Sequence, residues 1–291
     1  MLYEQEPTEK TGYLDQQFRL FHIRDQEDRI FPFHYHDFHK VVILLSGKVT
    51  YHIEGKAYHL KPWDILLVNQ HAIHRPEILP SLPYERFVLW IRDDLDKKLL
   101  VRCFQKASDR SFNLIRLNSR MQEKLKELLF ELEASMNNTQ PEPKDLPNRK
   151  PSENASFGSE ILSDALFSQF MVYLNRIFLE KQYIFDRKSY TCDQQIQELL
   201  QYINHHLSAD LSVDALAEKY YLSKYHMMRK FKSETGYTLH SYINSKRLLL
   251  ARDLINEGTP VMKAAVQSGF SDYTTFSRAY KKMFNKCPSA F

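Results

Sequence analysis

The sequence predicts an α+β chain: an N-terminal β-barrel carrying a helical hairpin, then an all-α domain with two helix-turn-helix motifs. Three observations predict it. Short β-branched and aromatic runs, separated by turn residues, fill the first third. Apolar residues recur at helical spacing through the middle. The end repeats one plan, a short helix, a tight turn and a longer basic helix, at 211–232 and again at 259–282.

Composition sets the bounds. A chain of 291 residues, 43% apolar, has room for two ordinary cores. Cys103, Cys192 and Cys287 are far apart and form no Cys-x-x-Cys pair, which argues against a disulfide framework or structural zinc and fits a reducing cytoplasm. Met1 to Leu20 is too polar for a signal peptide, and runs such as Val41–Leu45 are too short to span a membrane. From Asp193 onward there are 13 Lys and Arg against 9 Asp and Glu, so this stretch holds the chain's whole excess of +4. A basic module joined to a neutral one is the asymmetry of a nucleic-acid reader attached to a sensor.

Residues 1–20 carry no pattern and read as an arm. Residues 21–110 read as strands within a barrel domain spanning 1–110. Val41–Leu45 ends at Gly47, Val49, Tyr51 and Ile53 alternate with polar neighbours, and Gly55-Lys56 reads as a hairpin turn. Pro62-Trp63-Asp64 turns before Ile65–Val68, and Phe87–Ile91 is a further strand. A helical hairpin is expected over 111–185. Its first stripe is Met121, Leu125, Leu128, Leu129 and Leu132, and its second is Leu162, Leu166, Phe170, Leu174, Ile177 and Phe178. The Pro-, Asn- and Ser-rich stretch 137–158 between them reads as a long flexible loop. Residues 186–192 read as a polar linker, and 193–291 as the all-α domain.

In that domain Ser223 is an expected N-cap, with Met227 and Phe231 facing the core. Tyr225, Met228, Arg229 and Lys232 then point outward, an aromatic and basic face suited to a major groove. In the second copy Ser271 is the expected cap, Phe276 and Tyr280 face inward, and Tyr273, Thr274, Ser277 and Arg278 face outward, followed by Lys281 and Lys282. A helix over about 239–255 joins the copies. Either basic helix alone could be a solvated surface helix; the duplication is what points to double-stranded DNA as the partner.

Leu216-Ala217, Ser223, Arg229, Phe231-Lys232, Thr235-Gly236, Gly269-Phe270, Phe276-Ser277-Arg278, Tyr280-Lys281-Lys282 and Pro288 together resemble the AraC/XylS family of bacterial transcription regulators. Departures are Val261-Met262-Lys263-Ala264-Ala265 where Ile-Ala-Glu-Ile-Ala is usual, Asn285 where Gly is usual, and Cys287 where Ser is usual. The resemblance implies base reading by Tyr225, Met228, Arg229, Tyr273, Thr274, Ser277 and Arg278. Lys224, Lys232, Lys281 and Lys282 are the phosphate candidates. It further implies a homodimer, an arm that folds over the pocket, and RNA polymerase as a partner; no cofactor is implied.

The first third resembles a cupin, the sensor barrel of many such regulators, on His34-Tyr35-His36, the Gly47 turn, Pro62-Trp63-Asp64 and 69–76. Aligned with metal-binding cupins, the ligands would be His34, His36 and His74, but the position of their Glu falls on Lys40, a cation that opposes a divalent metal. Two readings stay open. His34, His36, Lys40 and His74 line a pocket for a hydroxyl-rich or anionic effector, a sugar or sugar derivative, or they are rim residues with no ligand role. The functional rivals are a constitutive dimer whose barrel only dimerises, and a metal-dependent cupin enzyme, for which no nucleophile constellation is present.

Overall fold

A computed structural model describes residues 12, 14–25, 31–79, 82–93, 98–137 and 157–289. Of the expected arm, 1–11 and 13 lie outside the described residues and Phe18–Leu20 belong to a strand; of the 137–158 loop, 138–156 lie outside them. The strands are β1 (Phe18–Asp25), β2 (His39–Ser46), β3 (Lys48–Ile53), β4 (Lys56–His59), β5 (Ile65–Val68), β6 (His74–Leu79), β7 (Tyr84–Ile91), β8 (Leu114–Ile115) and β9 (Tyr190–Cys192). They form two antiparallel sheets, ordered β1-β7-β2-β5-β8 and β6-β3-β4-β9.

Period-two alternation divides the side chains between two cores. Val42, Leu44, Val49, Tyr51, Ile53, Leu66 and Val68 fill the space between the sheets. Val41, Ile43, Ile65, Leu67, Phe87 and Leu89 face the other way and pack on helices. Those helices are α1 (Arg102–Arg110), α2 (Ser119–Asn137) and α3 (Ser159–Leu179). Leu125, Leu128, Leu129 and Leu132 of α2 meet Phe170, Leu174 and Phe178 of α3 in that core.

Three local expectations are corrected. The strand-like reading ran through 110, but Lys98–Val101 is a 3₁₀ turn and α1 follows it. Cys103, Phe104 and Ala107 are buried one helical turn apart, a spacing too short to outweigh the strand-rich sequence around it. The first hairpin turns on Glu54-Gly55, not Gly55-Lys56. Both have positive φ, 46° and 72°, as a two-residue type I′ turn requires, and Lys56 instead opens β4. The expected linker is tied down: β9 pairs with β4, with Tyr58 opposite Tyr190.

The C-terminal domain contains α4 (Gln194–His205), α5 (Val213–Lys219), α6 (Lys224–Thr235), α7 (Leu239–Asn256), α8 (Val261–Gln267) and α9 (Tyr273–Phe284). Two small cores share α7. Met227, Phe231, Leu239 and Tyr242 belong to the first, and Leu248, Ala251, Ile255, Phe276 and Tyr280 to the second. Side-chain caps start most of these helices. Ser212, Ser223 and Thr238 accept from the N–H of Ala215, His226 and Ser241. The cap of α9 is Asp272, which accepts from Thr275 N–H at 2.6 Å, and not the expected Ser271. Asp272 has the extended backbone, φ −127°, that aims a side chain at the first turn.

The barrel and the helical domain are docked. The Glu54 carboxylate, at the tip of the β3–β4 hairpin, accepts from Tyr242 Oη, from Lys246 Nζ at 2.8 Å and from Ile73 N–H at 2.8 Å. Gln197 Nε2 donates to the Glu54 carbonyl at 2.9 Å, and Lys246 donates also to the His71 carbonyl at 3.0 Å. Ile73, a barrel residue, is buried in the first core of the helical domain. Phe33 lies against Gly236, where a Cβ would stand 2.1 Å from its ring, and φ there is +78°.

Two outcomes follow. Asp272→Ala costs about 1 kcal/mol, whereas Ser271→Ala stays within about 0.5 kcal/mol of wild type; urea titrations of both variants check this, and equal losses would overturn the cap assignment. Glu54→Ala removes about 1–3 kcal/mol of docking energy, since the seam groups it leaves are part-buried donors. In calorimetry the variant should separate the melting of barrel and helical domain; a thermogram identical to wild type would show that this carboxylate does not hold the seam.

Candidate functional site

Both basic helices present the expected faces. In α6, Met227 and Phe231 are fully buried, while Tyr225 is 71% and Met228 41% exposed, with Arg229 and Lys232 also exposed. The Arg229 guanidinium lies 5.8 Å from the Tyr225 ring centre, so the two side chains share one surface. Lys224 pairs with Asp214 of α5. In α9, Phe276 and Tyr280 are buried, Tyr273, Thr274, Arg278, Lys281 and Lys282 are exposed, and Ser277 is half-buried. Arg278 Nε donates weakly to the Thr274 carbonyl at 3.4 Å, within its own helix.

Several basic residues of this domain have other work. Lys230 turns back onto Asp193 at 2.8 Å. Arg247 donates to the carbonyls of Leu207 and Ala209, both at 2.8 Å, and so ties α7 to the loop before α5. Arg252 reaches His71 across the domain seam. The excess charge noted in the sequence is therefore only partly available to phosphates.

The four expected ligand residues come together. Nitrogens of His34, His36 and His74 all lie within 4.8 Å of one another, and all three residues are buried. His34 Nδ1 donates to the Pro32 carbonyl and His74 Nδ1 to the Ala72 carbonyl, each at 2.8 Å. Each of these rings therefore keeps its Nε2 as an acceptor. Lys40 Nζ stands 3.4 Å from His74 Nε2. Burial, then the Lys40 charge, lowers the His34 imidazole to about 4, and the same causes in the same order hold His74 well below its ordinary range. Burial, and secondarily Arg86, brings the Lys40 ammonium down to about 7.

Aromatic rings close around this cluster. His36 stacks on Phe38 at 4.6 Å, Phe38 on Trp90 at 4.5 Å, and His74 on Tyr51 at 5.9 Å. A cavity of 780 Å³ opens elsewhere, at the start of α2, lined by Arg120, Met121, Lys124, Lys181 and Tyr183 among others. As a metal centre the donor set fits poorly. Three imidazoles alone would suit zinc, but the Lys40 ammonium lies on the His74 lone pair that a metal would need, and no carboxylate offsets its charge. Three further barrel histidines have side-chain partners: His39 bonds Asp93 at 2.9 Å, His52 bonds Glu77 at 2.8 Å, and His59 bonds Thr50 at 3.2 Å.

The seam role of Glu54, Phe33, His71, Tyr242 and Lys246 had no signal in the sequence, although the joining helix marked Tyr242 as a core residue and 69–76 placed His71 in the cupin-like motif. Their significance lies in pairings between residues up to 192 positions apart.

Residues 17–171 match the AraC-like ligand binding domain, and residues 216–291 match a helix-turn-helix domain. The HTH-type transcriptional activator RhaS of Escherichia coli (strain SMS-3-5 / SECEC) is 26% identical over 89% of this chain and 86% of its own. RhaS of Salmonella schwarzengrund is 27% identical over the same shares. Among solved structures, ToxT from Vibrio cholerae O395 is 15% identical, with a TM-score of 0.34 over 94% of this chain and 96% of its own. The ligand-domain match alone covers more than half of the chain, and with the duplicated, outward-facing basic helices behind it the protein belongs to the AraC family of transcription regulators, joining a ligand-binding domain to a DNA-binding helix-turn-helix domain.

Proposed function

We propose that the protein activates transcription from an operator read by both basic helices, under control of a small carbohydrate or carbohydrate derivative held at His34, His36, Lys40 and His74. The observation that carries the DNA half is the shared face of α6 and α9: Tyr225, Met228 and Arg229 in one, and Tyr273, Thr274 and Arg278 in the other, are exposed above fully buried Met227, Phe231, Phe276 and Tyr280. With α7 shared between the two cores, the helices are held as one body and can enter successive major-groove turns, roughly 34 Å apart. Arg229 and Arg278 read guanine edges, Ser277 and the aromatic residues add base contacts, and Lys224, Lys232, Lys281 and Lys282 serve the backbone.

The activator sense and the carbohydrate come from the similarity to RhaS activators and from the acceptor-rich pocket. A homodimer is supported by Ile161 and Leu162, 77% and 54% exposed on α3. RNA polymerase is the partner such an activator requires, and the protein works in the cytoplasm, without catalysis. No helix among the described residues is long and apolar enough to cross a membrane. A second reading, a constitutive regulator whose barrel only dimerises, is favoured by the hydrogen bond with which Lys40 already takes the His74 acceptor.

Fluorescence anisotropy on the protein's own upstream DNA tests the first half. Arg229→Ala or Arg278→Ala should each cost about 1–3 kcal/mol and relax specificity at one base pair. Lys281→Ala should weaken all sequences alike and reduce the salt slope by about one. Uniform loss from all three would mean that the arginines, too, bind only phosphate. Repeating the titration with a sugar panel decides the second half, since a true effector must shift operator affinity; no shift with any sugar leaves the constitutive reading.

A further inference from the structure

Resting on the reading of the barrel as an effector site, we propose that its effector is a hydroxylated monocarboxylate, a sugar acid, whose carboxylate becomes the counter-ion of Lys40 and whose hydroxyls donate to the imidazole acceptors beside it.

The case begins with an unbalanced charge. Lys40 lies on the interior face of β2, part-buried, with its ammonium against the His74 ring. No carboxylate among the described residues pairs with it; its hydrogen bond goes to the lone pair of a neutral ring, His74 Nε2. Its neighbour Arg86 offers no relief, being a cation itself, and is already matched by Asp25 at 2.6 Å. The groups facing Lys40 are thus His74 of β6, His34 and His36 before β2, and Arg86 of β7; the nearby phenols of Tyr51 and Tyr84 are held neutral by burial. A part-buried cation with a neutral ring as its hydrogen-bond partner and no carboxylate beside it is a place for an anion to bind.

The rings specify the rest of the molecule. His34 and His74 spend their Nδ1 protons on backbone carbonyls, so what they turn inward are Nε2 acceptors, that of His74 engaged by Lys40 until an anion draws the ammonium away. Acceptors call for hydroxyl donors, which a plain fatty or aromatic acid lacks. One unmatched positive charge calls for one negative charge, which favours a carboxylate over a doubly charged phosphate ester. Phe38 and Trp90, stacked at 4.5 Å over His36, offer a flat apolar wall of the kind that meets a sugar's C–H face.

Lys40 also makes a statement that needs no ligand. Its folded-state value of about 7 lies below the ordinary lysine range, so below pH 7 it is charged in both folded and unfolded chains and the burial penalty is present in full. As pH rises from 7 towards 10 the folded form gives up its proton and the penalty fades. Lys40→Met should therefore raise the melting temperature of the ligand-free protein most at about pH 6, and less at about pH 9.

The experiment is thermal melting and calorimetric titration of the full chain against galacturonate, glucuronate and gluconate, with galactose, glucose and glucose 6-phosphate beside them. The expected result is a raised melting temperature with at least one acid and none with its neutral partner. Affinity for that acid should fall as the pH of the wild-type protein is taken above 7 and be lost in Lys40→Met. The wild-type pH series keeps the test decisive should the variant misfold. A neutral sugar bound equally well by wild type and Lys40→Met would overturn the proposal while leaving the carbohydrate reading intact. Preference for the phosphate ester would overturn the monocarboxylate class. If nothing in the panel binds, the carbohydrate reading falls and this proposal with it. A ligand-free Lys40→Met protein that melts lower than wild type at about pH 6 would make Lys40 structural and would also overturn the proposal.

Discussion

One carboxylate, that of Glu54, bonds to both halves of this regulator. Glu54 stands at the tip of a two-residue turn whose positive φ angles leave its side chain projecting past the barrel. There it takes a phenol and an ammonium from α7 and the Ile73 amide from its own barrel. A carboxylate away from bulk water is costly unless its lone pairs are filled, and these three donors fill them. The same contact, after burial, pushes the Tyr242 phenol well above its ordinary range, so that phenol remains a donor. Because α7 is also shared by both helix-turn-helix cores, holding α7 holds both basic helices.

The residues proposed to hold the effector lie directly behind this seam. Along 33–37 the side chains alternate. His34 and His36 turn into the barrel, while Phe33 meets Gly236 and Asp37 lies 3.9 Å from Arg252. The second segment does the same: His74 faces inward, while His71 and Ile73 face the helical domain. Two short backbone stretches therefore carry the pocket on one side and the seam on the other. A ligand held by these imidazoles would act on the backbone that also carries the contacts to the helical domain. This is a physical route for coupling, and its thermodynamic content is that ligand and operator affinities change together.

The helical domain is legible in the sequence because its information is local. Met227 with Phe231, and Phe276 with Tyr280, are helical neighbours four apart, and burial follows that spacing. The cap of α9 lies one residue from its expected place because Ser271 and Asp272 are both good cap formers, and only backbone angles separate them. In the barrel, alternation marks the strands, and the His-x-His spacing places two imidazoles on one face. The carbonyl partners that fix their tautomers, and the aromatic rings that close around them, depend on tertiary packing. The seam is invisible for a stronger reason. Glu54 and Tyr242 are 188 positions apart, and nothing in the composition around either residue announces the other.

Ile73 shows how far the two halves have been fitted to each other. It is covalently part of the barrel, yet its side chain completes the core around Ile196, Leu200 and Tyr242. The segment between the halves, for its part, contributes β9 to a barrel sheet. The border drawn by the chain thus differs from the border drawn by packing. Regulators of this build are often pictured as interchangeable heads on interchangeable sensors. Here a graft made at the chain border would carry away a strand or leave a hole in a core. The unit that can be inherited or exchanged intact is the helical domain together with the barrel surface that finishes it, so sensor and reader must vary as a matched pair.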